Sequence, residues 1–95
     1  MSIYHFGLLI ILIKQFEVLS IMYRRIRELR EDKDLLQKDI AKLLNCSQVA
    51  YSRYELGLRD IPTDVLITLA KFHNTSVDYI LGITDDKNPY RENEK

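Results

Sequence analysis

Cysteine occurs once, as Cys46, which excludes an internal disulfide framework and a cysteine-built zinc site. A lone thiol suits a reduced, cytoplasmic setting. Histidine is nearly as scarce: His5 and His73 lie in different segments. The carboxylates are scattered, and there is neither a glycine-rich phosphate loop nor a metal-spaced cluster, so the pattern points away from an enzyme and from any cofactor or metal. His73 is expected to be solvated or to cap the end of a helix. Net charge is also missing, because 14 Lys and Arg balance 14 Asp and Glu. Strong, indiscriminate attraction to polyanions is thereby excluded. Long apolar runs are absent as well. The stretch from Phe6 to Ile13 falls well short of the roughly 20 residues that span a bilayer, so no integral membrane span is expected. No Lys or Arg precedes Lys14, which argues against a secretory leader.

What remains is a globular composition, 46% apolar and 29% charged in 95 residues, enough for one domain with a thin core. The chain is uneven. Residues 1–21 form an apolar extension whose β-branched, all-round apolar character fits a strand, a buried helix or a partner-facing segment. Three roles stay open for it: a packing or dimerisation element, an upstream extension with no fixed role, or a membrane-surface anchor. Residues 22–83 read as the folded domain. Residues 84–95 are polar, contain Pro89, and are expected to form a frayed tail.

Within the domain, hydrophobic spacing predicts five short helices. Ile26, Leu29 and Arg30, then Lys33, recur at helical intervals and suggest a first helix from about Tyr23 to Lys33, broken at Asp34. Gln37 to Leu44 reads as a second helix with Ile40, Ala41, Leu43 and Leu44 apolar, ended by Asn45. Ser47 is an N-cap for a third helix that Gly57 ends. Pro62 opens a fourth, carrying Val65, Leu66, Leu69 and Phe72 and broken by Asn74. Ser76 caps a fifth from Val77 to Leu81, closed by Gly82.

Only Asn45, Cys46 and Ser47 separate the second helix from the third, and so tight a connection forces the steep crossing of a helix-turn-helix. Small Ala41 allows the third helix to approach closely, and Cys46 is expected to be a small, partly buried turn residue. At about 100° per residue, Gln48, Val49, Ser52, Arg53 and Leu56 share one side of the third helix. Ala50, Tyr51 and Tyr54 share the opposite side, with Glu55 on the boundary. The first side suits a DNA major groove. Glutamine pairs with adenine, arginine contacts guanine bidentately for roughly 1–3 kcal/mol of discrimination, and valine meets a thymine methyl. Charge agrees modestly, since Tyr23 to Pro62 carries a basic excess and Thr63 to Lys95 an acidic one.

These residues, taken in order, resemble the Cro/repressor-type helix-turn-helix, or XRE, family. The segments are IRELREDKD, QKDIAKLLNCS, SQVAYSRYELGLRDIP and NTSVDYILG. The resemblance implies an all-α, compact five-helix lambda-repressor-like domain that binds double-stranded DNA. By position it implies that Gln37 meets a phosphate, that Gln48, Val49 and Arg53 read bases, and that Ser47, Ser52 and Arg59 complete the contact surface. It also implies a structural ion pair between Arg30 and Glu55. The sequence departs from the family pattern in places. Leu36 replaces a hydroxyl cap, so the second helix has an alternative start at Asp34 that would turn Gln37 onto local backbone. Asn45 replaces the turn glycine. Val49 and Leu56 replace polar residues, and Tyr51 fills an aliphatic position, so its hydroxyl needs an edge or a partner.

The expectation is a sequence-specific DNA-binding transcriptional regulator, a repressor acting by operator occupancy as a homodimer. The alternatives are an antitoxin-like or adaptor module that binds a protein partner through residues 1–21 or the fifth helix, and a membrane-associated regulator held by residues 3–13.

Overall fold

A computed structural model describes residues 3–90, with side chains over residues 7–12 and 20–90. Five helices follow in order: α1 (Ile3–Asp32), α2 (Gln37–Leu43), α3 (Gln48–Glu55), α4 (Thr63–Phe72) and α5 (Val77–Leu81). The described residues contain no strand. The first helix differs from expectation at its start. It begins at Ile3 rather than near Tyr23, so the apolar extension and the domain's first helix are one 30-residue rod. No proline lies between Phe6 and Tyr23, and extending an existing helix is much easier than nucleating a new one. The other boundaries fall where the sequence puts them, to within a residue.

Every helix ends by the same device. Asp34, Asn45 and Asn74 all sit at φ 55°, and Gly57 and Gly82 at φ 72° and 81°. After each, a backbone N–H reaches back to close the last turn: Leu35 to Arg30 O, Cys46 to Ala41 O, Leu58 to Arg53 O, Thr75 to Ala70 O and Ile83 to Asp78 O. Asp34 therefore terminates α1 and does not begin α2. Leu36 is the N-cap of α2, and Asp39 accepts the Leu36 N–H at 2.8 Å, supplying half of a capping box without a hydroxyl. Gly57 serves a second purpose. A Cβ there would lie 2.7 Å from the Tyr23 ring, so only glycine lets α3 turn back this close to α1.

The core draws one fully covered large side chain from each helix: Ile26, Ile40, Tyr51, Leu69 and Ile80. Met22, Leu29, Ala41, Tyr54, Ile61, Leu66 and Ala70 complete it. Leu43 and Phe72, expected on apolar faces, stay outside the core and are 41% and 38% exposed. Phe72 lies edge-on to His73 and beneath the Lys33 ammonium.

Two segments differ from expectation because of tertiary contacts. Residues 84–90 are docked, not frayed. Arg25 is buried in α1 and donates to Tyr79 O, to Thr84 O at 2.8 Å and to Asp85 at 2.8 Å, with its guanidinium 4.1 Å from the centre of the Tyr79 ring. Thr75 Oγ1 donates to Lys87 O at 2.6 Å, and the Tyr90 hydroxyl accepts the Asp78 N–H. Polar residues thus dock through hydrogen bonds where they have no apolar surface to bury. The rest of the expected tail, residues 91–95, lies outside the described residues, as does the side chain of His5.

His73 is the second difference. It is the C-cap of α4 but is buried, not solvated, and neither ring nitrogen has a partner among the described residues. Burial, helped by the Lys33 charge, pushes its imidazole down from 6.5 to about 4. The native state therefore holds His73 neutral while the unfolded chain protonates it below its ordinary value. Stability contributed by neutral burial is complete above about pH 6.5 and declines as pH falls towards 4, by at most about 3 kcal/mol. Urea denaturation at pH 7 and pH 5 should show this decline in the wild type. A His73→Leu variant should lose most of the slope across that window.

Candidate nucleic-acid interface

The α2–α3 corner is built by local rules. Ile40 and Ala41 are buried, and the small Ala41 side chain leaves room for α3 to cross. Asn45 takes the left-handed turn, and half-buried Cys46 sends its N–H to Ala41 O at 3.0 Å. Ser47 then caps α3, its Oγ accepting the Ala50 N–H at 3.1 Å.

Tyr51 and Tyr54 anchor the inner side of α3. They are 0% and 5% exposed, and their rings meet edge-to-face at 6.4 Å. With that side fixed, the opposite side must face outward. Gln48 and Arg53 are exposed, Val49 is 62% exposed and Ser52 is half-buried beside them. Leu56, Leu58 and Arg59 continue the exposed surface past the helix end, the Arg59 guanidinium lying 5.9 Å from the Tyr54 ring centre. Gln48, Val49, Ser52 and Arg53 therefore come together on one face, with Ser47 at its N-terminal edge and Arg59 beyond its C-terminal edge.

Gln37 is engaged differently. Its side-chain Nε2 donates to Glu55 Oε1 at 3.1 Å, so one amide hydrogen is already committed within the protein. Glu55 is the hub of the corner. Arg30 grips it with Nε at 2.7 Å and Nη2 at 3.0 Å, and donates its remaining nitrogen, Nη1, to Leu35 O at 2.8 Å. This one carboxylate joins α1, the start of α2 and the end of α3. Burial tends to raise the Glu55 pKa, but the hydrogen bond from Arg30 leads the opposing contributions and the carboxyl is held below its ordinary value. The same hydrogen bond raises the Arg30 pKa. The pair therefore remains ionised at neutral pH. Tyr51 completes the surroundings. Burial, then the nearby Glu55 carboxylate, raises its phenol, and the hydroxyl has no partner in hydrogen-bond geometry among the described residues.

Sequence reading missed Arg25, although the signal was present. At about 100° per residue it shares the side of α1 that carries Met22, Ile26 and Leu29, so it had to be buried or paired.

A corner of this geometry, with an anchored second helix and a polar outer face, defines a helix-turn-helix protein. The chain matches the helix-turn-helix family model over residues 26–80 and belongs to that family. It is 38% identical over 66 residues to a Bacillus subtilis protein named uncharacterized HTH-type transcriptional regulator YobD, covering 70% of this chain and 59% of that one. It is 39% identical over 59 residues to the HTH-type transcriptional regulator ImmR of the same organism, covering 62% and 46%. A third relative there, the uncharacterized HTH-type transcriptional regulator YqaE, is 33% identical over 63 residues, covering 65% and 54%. The chain thus aligns with about half of each relative's length. No solved structure gives a significant match.

Proposed function

We propose that this chain is a sequence-specific, DNA-binding transcriptional regulator that acts in the cytoplasm, without catalysis, as a homodimer occluding its operator. The observation that carries the reading is the outer face of α3. Gln48, Val49 and Arg53 stand exposed on a helix whose other side is locked by Tyr51 and Tyr54. The names of the relatives, all HTH-type transcriptional regulators, support it.

In this reading residues 22–83 form the DNA-binding unit. Gln48 and Arg53 meet base edges, and Val49 meets a thymine methyl. Ser52, Arg59, the Ser47 hydroxyl proton and the uncommitted Gln37 amide hydrogen contact the backbone. Glu55 contributes indirectly by holding α2 and α3 at their crossing angle. The neutral net charge makes non-specific affinity low, so selectivity rests on these few placed groups. Two copies would read half-sites about one helical turn, roughly 34 Å, apart.

Selection from random duplexes at about 50 mM salt, where electrostatic contacts are strong, should enrich one inverted-repeat sequence. Absence of any salt-sensitive duplex binding would overturn the reading. Arg53→Ala should relax preference at one base pair per half-site, with a loss of about 1–3 kcal/mol for that site. A uniform weakening across all sequences would instead make Arg53 a phosphate contact.

A further inference from the structure

Two of the outward side chains of α3 are aliphatic, and they line up. Val49 and Leu56 are 62% and 66% exposed. They are seven residues apart, which at about 100° per residue puts them within about 20° of each other and roughly 10 Å apart along the axis. Leu56 is the C-cap but keeps right-handed helical backbone, φ −85° and ψ −5°, so it still belongs to this ridge. The ridge runs down the middle of the outer face. Gln48 and Ser52 flank it on one side and Arg53 on the other, while Tyr51 and Tyr54 hold the opposite side of the helix in the core. The part of α3 that points most directly away from the protein is therefore apolar.

We infer that Leu56 is a base-reading residue beside Val49, and that each half-site of the operator presents two thymine methyl groups about three base steps apart. The inference rests on the DNA-binding reading above and adds to it a residue and a base identity. Chemistry selects the base. In the major groove the C5-methyl of thymine is the only apolar substituent on a base edge. The other groups there are hydrogen-bond donors and acceptors, which an aliphatic side chain would strip of water without replacing it. Length permits the contact. The 8 residues of α3 span about 12 Å, the width of that groove, so the whole ridge fits inside it. Roughly 10 Å along the axis corresponds to about three base steps of 3.4 Å. A phosphate is the poorer neighbour for Leu56, because an aliphatic side chain dehydrates it and supplies no donor.

The test uses the full chain and the duplex it selects from random sequences. Deoxyuridine in place of thymidine removes one methyl and leaves every hydrogen-bonding group in place. Scanned through a half-site, it should weaken binding about fourfold, the scale of one buried methyl, at two positions about three steps apart. Leu56→Ala should keep the wild-type circular dichroism and urea midpoint, because the side chain is exposed, and should lose the deoxyuridine effect at one of the two positions. Val49→Ala should lose it at the other. Two sensitive positions that both persist in Leu56→Ala overturn the inference and leave Leu56 as a backbone contact or no contact. A selected duplex indifferent to deoxyuridine overturns this inference alone. A wild type that selects no duplex overturns the DNA-binding reading with it.

Discussion

Glu55→Ala should remove about 3–5 kcal/mol from the stability of this domain, read from urea denaturation at pH 7. The side chains of Arg30 and Glu55 are only 12% and 3% exposed, so truncation leaves a guanidinium facing a partly dry cavity. It also releases Gln37 and breaks the carboxylate tie that joins α1, α2 and α3. Total stabilities of about 5–15 kcal/mol make such a loss a large fraction of the whole. The cost comes mainly from the stranded charge. Arg30→Met/Glu55→Leu should therefore recover most of it, because replacing both partners removes the desolvation penalty as well as the attraction. A loss below about 1 kcal/mol for Glu55→Ala would place the pair among ordinary exposed ion pairs. Acid acts in the same direction. The Glu55 pKa is lowered in the fold, so its contribution is complete above the ordinary carboxylate value and is lost as pH falls through the native one. That loss falls at lower pH than the His73 decline, and the two should separate in a pH series.

Arg25→Met is expected to cost about 2–4 kcal/mol and to release the segment from Thr84 to Tyr90. The variant loses charge-assisted hydrogen bonds to two backbone carbonyls and the stacking on Tyr79. Hydrogen exchange should show the amides of that segment losing protection while those of α2 and α3 keep theirs. Arg25→Lys should restore only part of the loss, because an ammonium cannot grip several acceptors in one plane while lying on an aromatic ring. Asp85→Ala should matter little, since its side chain is fully exposed. A strong effect at Asp85 together with a weak one at Arg25 would overturn this account.

The two positions differ in how they could be read beforehand. The Arg30–Glu55 pair came from resemblance, with a helical wheel independently putting Glu55 at the edge of the core. Arg25 lay on the apolar side of the same helix, but its partners are the carbonyls of Tyr79 and Thr84, more than fifty residues away. Backbone acceptors have no side-chain signature, so nothing in the residue types marked that contact. Gln37 shows the same limit. Its amide goes to Glu55, a choice between protein and solvent that depends on where the end of α3 lies.

Local chemistry in the chain determined the five helices, their ends and the two faces of α3. Left-handed turns at Asp34, Asn45, Gly57, Asn74 and Gly82, serine caps at α3 and α5, and apolar spacing all act within a few residues. Tertiary structure decided the rest. It buried His73 without a partner among the described residues, docked residues 84–90 onto Arg25 and turned Gln37 towards Glu55. Those outcomes depend on which distant groups arrive at the same place, and short-range preferences carry no information about that.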